Sequence, residues 1–198
     1  MWKWIGGILL VIVLLVGTCT YVGYNKLQKF AGDDGPATTM VGASADRVFA
    51  ALAIGDSIPE WMSVSGSVRP SRHGLLRKGD TLTVTQAGSP EARQRAHWIV
   101  TEMTPGKLLT LQMRGDSLGI VMASRRFALE VRGDSTAIIS TVASPMLDLA
   151  NGTQRDSSAM MSFASKMMLT GLRVQAKLEM AQLKAHIEGR PAFGMPQP

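Results

Sequence analysis

Trp98-Ile99-Val100-Thr101-Glu102-Met103-Thr104-Pro105-Gly106-Lys107-Leu108 carries apolar side chains at short intervals, breaks at a Pro-Gly pair, and resumes the alternation at Leu109, Leu111 and Met113. Period-two alternation on both sides of a turn dipeptide is the pattern of a β-hairpin. Working outward, the same chemistry recurs at Gly74, Gly79-Asp80, Gly88-Ser89-Pro90, Gly115-Asp116 and Gly133-Asp134. These turns delimit six predicted strands, roughly Ser63 to Arg69, Thr81 to Gln86, Arg93 to Met103, Leu108 to Arg114, Ile120 to Val131 and Thr136 to Val142. Consecutive strands joined by short turns form an antiparallel meander.

Upstream the period becomes helical. Thr38 to Val41 predicts a short strand, Ser44 is a suitable N-cap for a helix from Ala45 to Ala53 with Asp46 in its first turn, and Gly55 ends it. Asp56 to Met62 predicts a second short helix with Pro59 early in it. Downstream, Ser157 or Ser158 caps one long helix reaching about Glu188, and Gly189-Arg190-Pro191 is its stop. The fold class is α+β: a strand, two short helices, the meander, and a long C-terminal helix for a curved antiparallel sheet to wrap around.

Four stretches carry a resemblance: Ala45-Asp46-Arg47-Val48-Phe49-Ala50-Ala51-Leu52, Pro59-Glu60-Trp61-Met62, Trp98 through Leu108, and Leu183-Lys184-Ala185-His186-Ile187-Glu188-Gly189. Together, over Thr38 to Gly189, they resemble the START-like (SRPBCC) superfamily, and within it the polyketide cyclase/dehydrase and lipid-transport branch. The resemblance implies a helix-grip fold with a cavity between the concave sheet face and the last helix. It specifies fold better than reaction, because such a fold hosts many functions.

The residues expected around that cavity follow from side-chain direction. Leu109, Leu111 and Met113 share one face of a strand and Phe127, Leu129 and Val131 one face of the next, with Trp61 and Trp98 as aromatic candidates. On the strand from Arg93, Trp98, Val100 and Glu102 alternate with His97, Ile99, Thr101 and Met103, and both sets contain apolar groups. On the long helix, Met160, Phe163, Met167, Gly171, Val174, Leu178, Ala181 and Ala185 form one stripe, expected to pack on the sheet and line the cavity. Lys166, Arg173, Lys177 and Lys184 form a basic row beside it. Ordinary core packing accounts for the same apolar positions.

The first thirty residues are of another kind. From Trp4 to Asn25 no side chain is charged, and at ~1.5 Å per residue Trp4 to Tyr21 spans roughly 26 Å and Trp2 to Tyr24 roughly 33 Å, bracketing a hydrocarbon core of about 30 Å. Trp2 and Trp4 at one end and Tyr21 and Tyr24 at the other suit the headgroup level, with Lys3, Lys26 and Lys29 outside the apolar run. A transmembrane anchor over residues 4–24 is expected, in a segment 1–30 followed by a linker 31–37 (Ala-Gly-Asp-Asp-Gly-Pro-Ala), the domain 38–189 and a tail 190–198. A cleaved signal lacks a small-x-small site, and a lipid-bearing Cys19 would follow Thr18 rather than a small residue. The short N-terminal tail favours a single-pass protein with its domain outside the cytoplasm, although the basic residues flank the span evenly.

Three of the 21 basic side chains, Lys3, Lys26 and Lys29, precede residue 31 and no acid does, so half of the +6 net charge belongs to that segment. The remainder is nearly balanced, and the cluster Arg69, Arg72, Arg77 and Lys78 lacks interleaved aromatics, so nucleic acid is not an expected partner. One Cys excludes an internal disulfide. His73, His97 and His186 stand at no metal-ligand spacing, and neither a metal nor a cofactor is expected. No nucleophile elbow, phosphate loop or dinucleotide fingerprint is present, and no catalytic residue is assigned, with His97, Glu102, Glu60 and Asp56 considered and left without a facing partner. The expected function is binding or transfer of a hydrophobic small molecule or lipid beside a membrane. A cyclase or dehydrase-like enzyme using the same cavity and a non-catalytic interaction module are the alternatives.

Overall fold

The computed structural model describes residues 35–62, 66–86, 95–114, 121–145 and 159–190, with 22, 23, 25, 26 and 29. Nearly all of the expected anchor therefore lies outside the described residues, and among those described no helix is long and apolar enough to cross a membrane.

The hairpin that opened the sequence reading forms as expected. Lys107 N–H donates to the Thr104 carbonyl at 3.0 Å, Gly106 takes a φ of +66°, and the turn joins Arg95–Thr104 to Leu108–Arg114. The described strands are β1 (Ala37–Val41), β2 (Gly66–Pro70), β3 (Thr81–Gln86), β4 (Arg95–Thr104), β5 (Leu108–Arg114), β6 (Val121–Arg132) and β7 (Ser135–Ala143). They form one antiparallel sheet in the order β1-β7-β6-β5-β4-β3-β2. The meander runs β2 to β7, and β1 closes onto β7 with Val41 opposite Thr136. Helices α1 (Ala45–Ala53) and α2 (Ile58–Met62) fill the link from β1 to β2, and α3 (Ala159–Ile187) packs against β1, β7, α1 and α2. This is a helix-grip fold.

Local chemistry fixes the helix ends. The Ser44 hydroxyl accepts from Arg47 N–H, satisfying one of the first-turn donors of α1. At the end of α3, Gly189 takes a φ of +68°, its N–H donates to the His186 carbonyl at 3.2 Å, and Arg190 N–H reaches the Ala185 carbonyl at 2.8 Å. That pair of bonds is a Schellman motif, and glycine is the residue that tolerates its left-handed turn. Arg47 then ties the two helix ends together by donating to the Ile187 carbonyl at 2.9 Å.

The core settles which side chains of β4 point inward. Trp98 and Val100 are buried, the register then shifts between Val100 and Glu102, and beyond that bulge Met103 packs on the core while Glu102 is exposed. Alternation could not choose a face because one extra residue changes the phase midway.

The long helix corrects the sequence expectation. Met167 is 39% and Leu178 41% exposed, Gly171 has open space where a Cβ would stand, and Ala181 is exposed. The face that packs inward carries Leu172, Ala176, Glu179, Met180, Leu183 and Ile187. At ~100° per residue it lies roughly 170° around the helix from the expected stripe. Val174 is half-buried and Ala185 buried, while the side chains of Met160 and Phe163 lie outside the described residues. A charged residue in the middle of the true stripe is what displaced the expectation.

Candidate functional site

Cross-strand pairs share a face of the sheet, so the concave lining can be followed along the ladder. Leu82 stands opposite Trp98, Trp98 opposite Met113, Val100 opposite Leu111, Leu109 opposite Phe127, and Leu129 opposite Ile138. Seven of the expected lining residues, Trp61, Trp98, Leu109, Leu111, Met113, Phe127 and Leu129, come together in this one apolar cluster, whereas Val131, expected on the same face, is 69% exposed because β6 there runs past the end of β5. Trp61 reaches it from α2, with its indole N–H donating to the Ala51 carbonyl at 3.0 Å and its ring edge-on to Phe127 at 5.8 Å and 86°. A buried indole needs such a partner, and this one fixes the ring over the sheet.

Two charged residues that the sequence reading missed lie inside this apolar interior. Leu111 stands opposite Arg125 on β6, and Arg125 shares the inward face of Ala123, Phe127 and Leu129. Arg125 is 4% exposed and Glu179 of α3 is 0% exposed. The guanidinium Nη1 donates to Glu179 Oε2, Nη2 donates to the Ala176 carbonyl at 3.3 Å, and the group lies 4.6 Å above the Phe127 ring. Gln175 Nε2 donates to the other Glu179 oxygen at 2.8 Å. Burial pulls the Arg125 guanidinium down to about 9, so it is still protonated at neutral pH. The result is a continuous run of contacts from Trp61 through Phe127, Arg125 and Glu179 to Gln175, crossing from α2 over the sheet to α3.

A signal for Arg125 was available. Once Phe127 and Leu129 are taken as inward, period two places Arg125 with them. Glu179 had no such signal, because a lone acid on a long helix reads as a solvated position.

The other titratable candidates are held elsewhere. His97 is on the opposite face from Trp98 and shares a hydrogen bond with Thr83 at 3.3 Å. Asp56 accepts from His73 at 2.5 Å and from Gly74 N–H at 3.0 Å, and these bonds, His73 first, hold its carboxyl below the ordinary value. Glu60 pairs with His186 at 2.8 Å, and Glu102 accepts from Thr110 Oγ1 at 3.4 Å. In the basic row, Lys184 is tied to Glu188 at 3.7 Å and to the Met40 carbonyl at 2.8 Å. Among the described residues no three metal-ligating side chains come together.

Both Glu179 oxygens are already occupied by donors from Arg125 and Gln175, so neither is free to take a proton from a ligand. The arrangement therefore suits binding and orientation within an apolar interior better than proton transfer.

Comparison with solved structures gives the same architecture. Protein Ms6760 from Mycobacterium smegmatis aligns at TM-score 0.52 with 14% identity, over 78% of this chain and 90% of that one. A protein of unknown function from Staphylococcus aureus, SA2116, aligns at TM-score 0.54 with 8% identity, over 78% and 93%. A protein from Arthrobacter aurescens aligns at TM-score 0.51 with 16% identity, over 82% and 92%. At these identities the likeness is one of fold. Comparison with curated protein sequences gives no match. The family model described as polyketide cyclase / dehydrase and lipid transport matches residues 36–188, a span that begins just before β1 and ends just after α3. With the sheet, the gripped helix and this match in agreement, the chain belongs to the polyketide cyclase/dehydrase and lipid-transport family.

Proposed function

We propose that the domain binds or carries a hydrophobic small molecule or lipid between the concave face of the sheet and α3, beside a membrane that residues 4–24 span. The observation that carries this reading is the buried Arg125–Glu179 ion pair set against the apolar cluster on the concave face of the sheet. Replacing a buried ion pair by well-packed apolar residues of the same volume is often neutral or stabilising, so its stability contribution alone is a weak reason to keep one there. A ligand with an apolar body and a polar end does give such a reason. The family description, which includes lipid transport, is consistent with it. The occupied oxygens of Glu179 weigh against a cyclase or dehydrase-like reaction using this carboxylate as its base.

The test is purification of the full-length chain from its own membranes, mass spectrometry of co-extracted small molecules, and uptake of a neutral hydrophobic dye such as Nile red. Binding predicts a stoichiometric co-extracted molecule or saturable dye uptake. A folded protein showing neither would refute the proposal. For the anchor, resistance of the full-length chain to alkaline extraction is expected. Protease protection of the domain in intact cells would contradict its placement outside the cytoplasm.

A further inference from the structure

Among the described residues three buried side-chain atoms have no hydrogen-bond partner: Arg125 Nε, Ser140 Oγ and Glu188 Oε2. Glu188 Oε2 lies beyond the end of α3 with Arg190 Nε at 3.5 Å. The other two belong together. Ser140, 2% exposed, stands directly opposite Phe127 in the β6–β7 ladder, and Arg125 is the next inward residue along β6. Both thus face the concave side from neighbouring strands, one residue pair apart.

An unpartnered buried donor costs stability, and two adjacent ones are uncommon in a folded core. Arg125 Nε–H donates only, and the Ser140 hydroxyl both donates and accepts. The terminal nitrogens of Arg125 are taken by Glu179 and the Ala176 carbonyl on α3, which leaves its Nε–H without an acceptor. The complementary group is an oxygen acceptor. Its charge is set by what is already present: Arg125 and Glu179 neutralise one another, so a carboxylate or phosphate would add an uncompensated negative charge to a buried site, at a large desolvation cost.

Resting on the binding function above, we propose that Arg125 Nε and Ser140 Oγ form a polar subsite that selects a charge-neutral ligand bearing a carbonyl or hydroxyl oxygen on an apolar body, and discriminates against the corresponding carboxylate. Phe127, whose ring lies under the Arg125 guanidinium, and Leu111, opposite Arg125 in the ladder, supply apolar surface beside the subsite.

The experiment is displacement of Nile red from the full-length chain in detergent, with four probes of matched chain length: dodecane, dodecanol, methyl decyl ketone and laurate, each corrected for its partition into micelles. The ketone and the alcohol are expected to bind at least about tenfold tighter than dodecane, as a hydrogen bond from a charged donor implies, and laurate no tighter than dodecane. Ser140→Ala should reduce the ketone preference severalfold while leaving dodecane unchanged. Because removing Arg125 alone leaves Glu179 unpaired and can prevent folding, the second variant is the charge-neutral double substitution Arg125→Met with Glu179→Leu, in which the preference should vanish while dodecane still binds. Equal binding of ketone and dodecane would overturn the subsite and leave the binding function standing. Tightest binding of laurate would overturn the neutral selectivity, showing an anion site instead. An unchanged preference in both variants would show that these donors face buried water rather than ligand, and failure of all four probes in a folded chain would remove subsite and binding function together.

Discussion

Substituting Glu179 by Gln changes one atom's chemistry and almost no volume, yet it should be among the most destabilising single changes in the domain. The carboxylate is fully buried, and its two oxygens take Arg125 and Gln175. With Glu179→Gln the guanidinium of Arg125 loses its countercharge, and no other described acid pairs with it. Breaking a buried pair from one side costs about 3–5 kcal/mol. For a chain of this size each kcal/mol lowers the thermal midpoint by roughly 2–4 °C, so a fall of about 6–20 °C is expected. Arg125→Met should fall in the same range, because it strands Glu179 instead. The double variant Arg125→Met with Glu179→Leu should recover most of the loss, or exceed the parent by about 1–4 kcal/mol, since apolar residues of similar volume replace the pair without desolvating ions. Trp61 and Trp98 are both buried in the cluster that the pair adjoins, so tryptophan emission of the full-length chain during urea or thermal unfolding reports the transition. Trp2 and Trp4 contribute a background common to all variants. A Glu179→Gln loss below about 1 kcal/mol, or a double variant no better than the worse single one, would refute a tightly coupled buried ion pair.

Three further outcomes follow from particular contacts. A Cβ on Gly55 would stand 2.1 Å from the Arg72 carbonyl oxygen, so Gly55→Ala must push backbone apart; a loss of at least about 1–3 kcal/mol in chemical denaturation is expected, and a neutral result would mean that the approach of Arg72 is not held in solution. Gly171→Leu enters open space on the outer face of α3 and should raise stability by up to about 1 kcal/mol through helix propensity, with dye uptake unchanged; loss of uptake would return this face to the interior. Asp56 is held low chiefly by its bond to His73, so its contribution is present above the unfolded value of 3.8 and is lost as pH falls through the lower folded value. His73→Ala should therefore raise the Asp56 carboxyl toward 3.8 in a carbon-detected NMR titration and flatten the acid limb of stability, and an unmoved Asp56 would contradict the assigned cause.

The elements most legible in sequence are those fixed by local chemistry. Ser44 with the helix behind it, Pro105-Gly106 and Gly189 each act within a few residues of themselves, and the segments Ala45–Ala53, Thr81–Gln86 and Leu108–Arg114 fall where the sequence places them. The ends of β4 and the facing of its side chains were less legible, because a bulge between Val100 and Glu102 is set by the register with β5 and leaves no composition signal. For the site, the strand candidates Leu109, Leu111 and Phe127 assemble because a strand has only two faces and its apolar residues choose one. A helix offers a continuum of faces, and Met167, Gly171 and Leu178 belong to an apolar strip that the sheet does not cover.

What hid the centre of the site is also what gives it meaning. Sequence patterning infers direction from polarity, so a charged residue is sent to solvent unless a partner across the fold is already known. Arg125 and Glu179 are 54 positions apart and meet only when α3 packs against the sheet. Each alone would be an error in an apolar core, and together they add little to the contact between helix and sheet that apolar residues of similar volume would not supply. Their position, flanked on one side by the saturated Gln175–Glu179 bond and on the other by the unspent donors of Arg125 and Ser140, makes them asymmetric: the helix side of the pair is complete and the sheet side is not. A pair serving packing alone would be closed on both sides. The unpartnered atoms lie on the sheet side, on β6 and β7, and that is where the proposed ligand would place its oxygen.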